Sequence, residues 1–357
     1  MTSLMKALSL LVSKHVPMHK ARNDSMVRMI FGLIKLGSVQ LTSLARTFDS
    51  QAKTSSTTRR IQRFFQSQDI KLEQIARLII AIIPLPVEII LTLDRTNWKF
   101  GSKEINFLTV AFVFKSASIP IFWKLLDHKG NSDTAQRIEI LSKVLEILGE
   151  RKIHCLLADR EFIGEDWFNW LKDNDIPLCI RIRNTHKIRH KNGGLVQIKF
   201  LCNDLKPNEF KVFKNVRFGN QRLNVTCLKL ETEFLILASS PSIEALSLAI
   251  YRKRWTIECL FKDMKTNGFN LESTHVKDSS KLIKLFALCA VAFAWSVKAG
   301  AIKNEIAPIK IKSHKRPAFS LFTYGFQAIQ SWMFKSRLTP LLKKLVKLLV
   351  TDLLRVT

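Results

Sequence analysis

The sequence predicts an α/β protein with a mixed sheet in the middle of the chain and helices on either side of it. Three observations carry this prediction. Apolar residues recur at helical spacing up to about residue 85, switch to strand-like runs from residue 87, and return to helical spacing beyond residue 240. Two near-continuous apolar runs, 87–94 and 153–159, each end in an aspartate, and runs of this kind read as strands buried on both faces. Between them and on to residue 183 the segments come as three strands, helix, strand, helix, strand.

In order along the chain, residues 26–36, then Leu41, Leu44 and Phe48, then Ile61, Phe64 and Phe65 give the N-terminal helices. Thr54-Ser55-Ser56-Thr57-Thr58-Arg59-Arg60 supplies N-cap residues ahead of a basic helix bearing Arg59, Arg60 and Arg63. Two short helices and a polar turn read either as a DNA-reading helix-turn-helix or as a solvated basic face. Pro84 and Pro86 close this unit. Strands are expected at 87–94, 105–114 and 119–126, with Ser116-Ala117-Ser118 as a turn. Asp133-Thr134-Ala135-Gln136 predicts a capping box for a helix that reaches about Leu148 and is stopped by Gly149. A strand at 153–159, a helix at 165–174 and a strand at 177–183 follow, and this order begins a ribonuclease H-like mixed sheet. Residues 185–240 are β-type, with Asn192-Gly193-Gly194 and Gly219-Asn220 as turns. One long helix is expected from Ser240-Pro241 to a C′ glycine at Gly268. An apolar helix at 280–298, a basic connector at 303–317 and two basic helices complete the chain. The expected units are 1–85 (helical, DNA-binding), 86–184 (sheet core), 185–240 (β-rich insertion), 241–300 (second part of the core) and 301–357 (basic, helical).

Charge narrows the function. Lys and Arg outnumber Asp and Glu 57 to 29, a net charge of +28 on 357 residues, spread along the whole chain. That excess calls for a polyanionic partner, nucleic acid before an anionic membrane surface. The apolar share of 47% is that of a folded protein and excludes disorder as the default. The six cysteines form no C-x-x-C pair, which argues against zinc and against a disulfide framework. No cleavable signal is legible at the start. The longest apolar run, 285–297, is short for a membrane span. A cytoplasmic protein without a membrane partner is expected.

The chemistry is concentrated in Tyr251-Arg252-Lys253-Arg254-Trp255-Thr256-Ile257-Glu258-Cys259-Leu260-Phe261-Lys262-Asp263-Met264-Lys265. Tyr251, Arg254, Glu258, Lys262 and Lys265 are spaced 3, 4, 4 and 3 residues apart, which puts all five on one face of an α-helix. A single carboxylate in a row of cations reads as a metal-binding acid among phosphate-holding groups. Asp94 ends the first strand and Asp159 the fourth. In a sheet of this order those strands are neighbours, so both acids meet Glu258 at one edge. Three carboxylates of this kind hold two Mg²⁺ ions, with Mn²⁺ as a substitute. Taken singly, each aspartate also reads as a turn or cap residue, and Glu258 as an ion-pair partner on a helix surface.

These residues resemble the insertion-sequence-four family of bacterial DDE transposases. Tyr251, Arg254, Glu258 and Lys265 fit its Y-x(2)-R-x(3)-E-x(6)-K signature, and Asp159-Arg160-Glu161-Phe162 is similar to its D-R-x-F block. Leu93-Asp94-Arg95-Thr96 resembles the block around the first acid, and Gly268-Phe269-Asn270-Leu271-Glu272-Ser273-Thr274-His275 the segment after the signature. The resemblance implies a ribonuclease H-like core interrupted by a β-rich insertion, and cut-and-paste movement of DNA through a hairpin intermediate. It implies terminal inverted repeats and target DNA as double-stranded partners, a homodimer in the synaptic complex, and a nucleoid-associated protein. Asp94, Asp159 and Glu258 would be catalytic and metal-binding; Tyr251, Arg254, Lys262 and Lys265 would hold phosphates. Trp255 reads either as a contact to an extruded base or as core packing. Residues 185–240 contain no Trp, so Phe200, Phe210, Phe213, Phe218 and Phe234 are the aromatics there. Two other readings stand beside this one: a catalytically silent DNA-binding repressor derived from such an element, and a structure-selective nuclease.

Overall fold

Apolar runs and turn residues set the sheet, and helical periodicity wraps it from both ends of the chain. The computed structural model describes residues 2–48, 51–67, 70–189, 194–218, 220–335 and 337–356. Helices α1 (Ser3–His15), α2 (Lys20–Leu36), α3 (Leu41–Arg46), α4 (Thr54–Ser67) and α5 (Leu72–Ile82) come first. Strands β1 (Ile89–Phe100), β2 (Lys103–Phe114) and β3 (Ala117–Leu126) follow, then α6 (Thr134–Leu148), β4 (Ile153–Ala158), α7 (Glu165–Asp173) and β5 (Leu178–Arg181). Next come β6 (Lys187–Arg189), β7 (Leu195–Gln197), α8 (Ile198–Leu201), β8 (Phe210–Phe218), β9 (Gln221–Lys229) and β10 (Phe234–Ser239). Helices α9 (Ser247–Tyr251), α10 (Trp255–Lys262), α11 (Ser279–Ile306), α12 (Leu321–Phe334) and α13 (Pro340–Val356) complete the fold.

The main sheet runs β3-β2-β1-β4-β5-β10-β9-β8. β1, β2 and β3 are antiparallel, while β4 and β5 run parallel to β1. This is the ribonuclease H-like order. The capping box at Asp133 and Gln136 forms as expected, with Gly149 at the other end of α6.

Several expectations are corrected. β1 does not end at Asp94: it continues to Phe100 because β2 keeps pairing with it, from Leu91↔Phe112 to Phe100↔Lys103. What ends near Asp94 is the pairing with β4. The β-type segment is not wholly set apart from the core, since β10 pairs with β5 and carries β9 and β8 onto the same sheet. Among the described residues, β6 and β7 pair apart from that sheet; of the turn expected there, Asn192 and Gly193 lie outside the described residues, as does Gly219. The turn before β3 is shorter than expected, with Lys115 at φ 53° and Ala117 and Ser118 already in the strand. α4 begins at Thr54, so its Thr residues are helical rather than a preceding cap.

The long helix after residue 240 is composite: a 3₁₀ turn at Pro241–Leu246, α9, a second 3₁₀ turn at Arg252–Arg254, α10, and a π-helical turn at Asp263–Asn267. Gly268 is needed there, but not for a left-handed cap, since its φ is −120°. A Cβ at this position would lie 2.5 Å from the Asp263 carbonyl oxygen and 2.6 Å from the Phe322 ring. α11 has 28 residues, twice the apolar run read from sequence, because Ala299, Gly300 and Ala301 carry it past Lys298. By length and composition it is long enough to cross a membrane, yet 89% of its most apolar window is buried inside the protein. α12 carries no charged residue, so only α13 is basic.

α11 is the hub. It packs against α2, α4, α5, β3, α12 and α13, and Phe286 on it stacks on Phe107 of β2 at 4.6 Å. The N-terminal helices therefore share one core with the sheet and the C-terminal helices. Gly300 and Gly325 let α11 and α12 touch backbone to backbone: a Cβ on Gly325 would lie 1.9 Å from the Ser296 carbonyl oxygen.

Candidate active site

Strand register brings the two aspartates together. Leu93 pairs with Ala158 at the last step of the β1–β4 ladder, so Asp94 and Asp159 are the next residue on each chain. Side chains alternate along a strand. Ile90, four residues before Asp94, and Leu157, two before Asp159, belong to one apolar cluster with Cys179, Leu237 and Tyr251. Leu91, Leu93, Leu156 and Ala158 belong to the main core. Both acids are thus on the face covered by α9 and α10. A hydroxyl relay pins α10 there: Thr256 lies 2.6 Å from Ser118, which lies 3.2 Å from Thr92.

Asp94, Asp159, Arg254, Glu258, Lys262 and Lys265 line one cleft of about 400 Å³, with Thr96, Asn97 and Glu272 among the other lining residues. One guanidinium spans two of the acids. Arg254 donates from Nη1 to Asp94 Oδ2 at 3.0 Å and from Nη2 to Glu258 Oε1. The Arg95 amide donates to Asp94 Oδ1 at 2.7 Å. Burial pushes the Asp94 carboxyl up to about 6; Arg254 and the Arg95 amide oppose the rise, and Glu161 and Asp159 add to it. Collecting buried carboxylates without a counter-charge is costly, and Arg254 supplies the counter-charge.

Asp159 Oδ1 is buried and makes no hydrogen bond among the described residues. Among those residues no three His, Cys, Asp or Glu side chains stand close enough together to hold a metal ion. The donors nevertheless suit a hard cation: they are all oxygen, one is buried without a partner, and such an atom calls for one.

The remaining sequence-predicted residues fall in different places. Tyr251 does not join the cleft; its ring packs on the sheet among Ile90, Leu157 and Cys179, 5.9 Å from the Arg254 guanidinium. Burial pushes its phenol up, and its hydroxyl finds no hydrogen-bond partner among the described residues. A large apolar ring gains more from that cluster than from a wet cleft. Lys265, on the π-helical turn, reaches back to the Asn97 carbonyl at 3.0 Å and to Glu272 at 2.7 Å. Trp255 is not core packing: it is 63% exposed at the start of α10. Arg59 and Arg63 are exposed on α4. Arg60 is tied down, donating to Asp24 at 2.8 Å, to Ser25 at 2.8 Å and to the Ala21 carbonyl.

Residues that the sequence left unassigned hold the site in place. Arg95 grips Glu161 with two hydrogen bonds, 2.7 and 2.8 Å, and also reaches Asn106 and Asn131. That fork joins β1 to the loop after β4, fixing the loop that carries Asp159. Buried Arg137 holds the same loop from beneath, donating to the Glu161 carbonyl at 3.0 Å with its guanidinium 5.1 Å from the Phe162 ring. Both Arg95 and Glu161 stand inside the two sequence blocks around the acids, and their adjacency to Asp94 and Asp159 was the available signal.

No curated protein matches the chain in sequence. A chain in the cryo-electron-microscopy structure of a piggyBac transposase synaptic complex with hairpin DNA is similar to it at 11% identity, over 97% of this chain and 82% of that one, with a TM-score of 0.48. The model of the transposase DDE domain matches residues 86–295, more than half of the chain and the whole span from β1 to the middle of α11, and the chain belongs to that family of transposases.

Proposed function

We propose that this transposase binds the terminal inverted repeats of an insertion sequence and moves it by metal-dependent cleavage and transfer of DNA strands. The observation that carries this reading is the meeting of Asp94, Asp159 and Glu258 in one cleft rimmed by Arg254, Lys262 and Lys265. The insertion-sequence-four signature supports it, with Tyr251 in a packing role beneath Arg254. Mg²⁺, or Mn²⁺ in its place, would be held by the three acids as a pair of ions and would supply Lewis-acid chemistry at the scissile phosphate.

The chain's own residues then have distinct tasks. Asp94, Asp159 and Glu258 hold the cations. Arg254, charged at any working pH, exchanges its two carboxylate partners for phosphate oxygens as the strand enters. Lys262 is exposed at the cleft edge and offers a further phosphate contact. Lys265 steadies the wall through Asn97 and Glu272 before it meets DNA. Trp255 presents its indole outward, within reach of a base turned out of the stack in a hairpin intermediate. Helix α4, through Arg59 and Arg63, contributes to recognition of the repeats, and two copies of the chain synapse the two ends.

A silent repressor has no use for a collected set of part-buried acids. The decisive assay uses labelled DNA carrying the element's own flanking repeats. Alanine at Asp94, Asp159 or Glu258 should abolish cleavage while leaving most DNA binding intact, because binding rests mainly on cations. Mn²⁺ should support cleavage and Ca²⁺ binding alone. Trp255→Ala should spare the first nick and impair later steps. Cleavage by Asp159→Ala at the wild-type rate would overturn the assignment.

A further inference from the structure

A second basic feature leads away from the acidic cleft. Two adjoining clefts, of about 500 and 610 Å³, share Arg160, Arg183 and Thr185 in their walls. Arg160 directly follows Asp159, so the groove begins one residue from the catalytic acids and continues along the chain that leaves β5. Each cleft contains one acid, and each acid is already neutralised: Glu233 by Arg181 at 2.8 Å, and Glu161 by the Arg95 fork. Arg160, Arg183 and Lys187 remain, all exposed. The side chains of Arg160 and Arg183 make no ion pair among the described residues. Lys229 stands in the wall of the first cleft with its ammonium 4.3 Å from the Phe234 ring, which also lines it.

Cations gathered in one groove with an aromatic ring in its wall are the recognition chemistry of a single nucleic-acid strand, whose phosphates follow the charge while a base stacks on the ring. We infer that this groove, running past Arg160 and Arg183 towards Phe234, is the track for one unpaired DNA strand leaving the active site. The inference rests on the reading of the chain as acting on DNA. It adds a partner surface outside the acidic cleft and assigns it to the unpaired strand rather than to the duplex.

The test measures fluorescence anisotropy of the full chain with a short blunt duplex of arbitrary sequence and with the same duplex bearing an oligo-dT tail of about ten nucleotides, within the usual span of single-strand sites. The tail should raise affinity in the wild type. Arg160→Ala combined with Arg183→Ala should remove that gain, leave the blunt duplex bound as before, and lower the salt slope for the tailed DNA by about 1.4, two contacts at about 0.7 each. The Arg160→Lys and Arg183→Lys pair should restore the slope. A tail gain that survives in the alanine variant overturns the groove assignment alone. Equal loss on blunt and tailed DNA overturns it too, in favour of a duplex surface. A wild-type chain that binds neither DNA overturns the underlying functional reading as well.

Discussion

The buried carboxyl of Asp94 should make the metal-free protein less stable as pH rises, and replacing it with asparagine should reverse this. Burial raises its pKa from 3.8 to about 6. A carboxyl whose folded pKa lies above its unfolded one favours folding while protonated. That contribution is present at low pH and is lost as pH climbs from the unfolded value through the folded one. The shift of about two units corresponds to about 3 kcal/mol. Roughly half has gone by about pH 5, so about 1.4 kcal/mol remains to be lost between about pH 5 and pH 8. Asp94→Asn keeps the shape and an acceptor for the Arg95 amide but cannot ionise. The attraction of the ionised carboxylate to Arg254 is already contained in its folded pKa, and the guanidinium stays charged throughout, so Arg254 adds no titration of its own. Urea unfolding of both proteins in chelator, at several pH values, isolates the effect as a difference. The asparagine variant should gain on the wild type by about 1.4 kcal/mol across that window. A gap that stays flat, or narrows with rising pH, would show that the Asp94 carboxyl is not held in a costly environment. Adding Mg²⁺ should stabilise the wild type and not the variant, because only the carboxylate repays the cation.

Two further outcomes follow from the packing. Arg95→Ala should cost about 3 kcal/mol in chemical denaturation, since it strands the part-buried Glu161, and Arg95→Lys should rescue little because a single ammonium cannot reproduce the fork. Gly325→Ala should destabilise the fold by about 3 kcal/mol in the same assay, as a Cβ 1.9 Å from the Ser296 carbonyl oxygen forces α11 and α12 apart.

Much of the sheet was legible because its strands are continuous apolar runs bounded by polar turns, and the three acids could be placed because strand order makes the first and fourth strands neighbours. The extension of β1 past Asp94 was not legible: Arg95, Thr96, Asn97 and Lys99 look like loop residues, and only their pairing with β2 makes them strand. The joining of β8–β10 to the main sheet was hidden for a similar reason, since edge pairing is a property of β5 as much as of the added strands. Helical spacing placed Arg254, Glu258, Lys262 and Lys265 in one cleft, but could not show that Tyr251 prefers the apolar cluster or that the segment is broken by 3₁₀ and π turns. The charge of Arg60 suggested DNA, whereas its neighbours Asp24 and Ser25, far away in sequence, claim it.

The position of α11 at the centre of the fold has a consequence for how the chain is made. α2, α4 and α5 pack against it, yet about 200 residues separate α5 from α11 in the sequence. At roughly 5–20 residues per second of synthesis, the apolar faces of those first helices wait on the order of ten to forty seconds for their partner to leave the ribosome. During that interval a growing chain with a strong positive charge, attached to a polyanionic ribosome and dense with messenger RNA nearby, exposes the surfaces that later form its core. The N-terminal helices cover part of those faces by packing on one another, and slower synthesis, which lengthens the wait for α11, should lower the yield of folded protein without altering a single contact in the finished molecule.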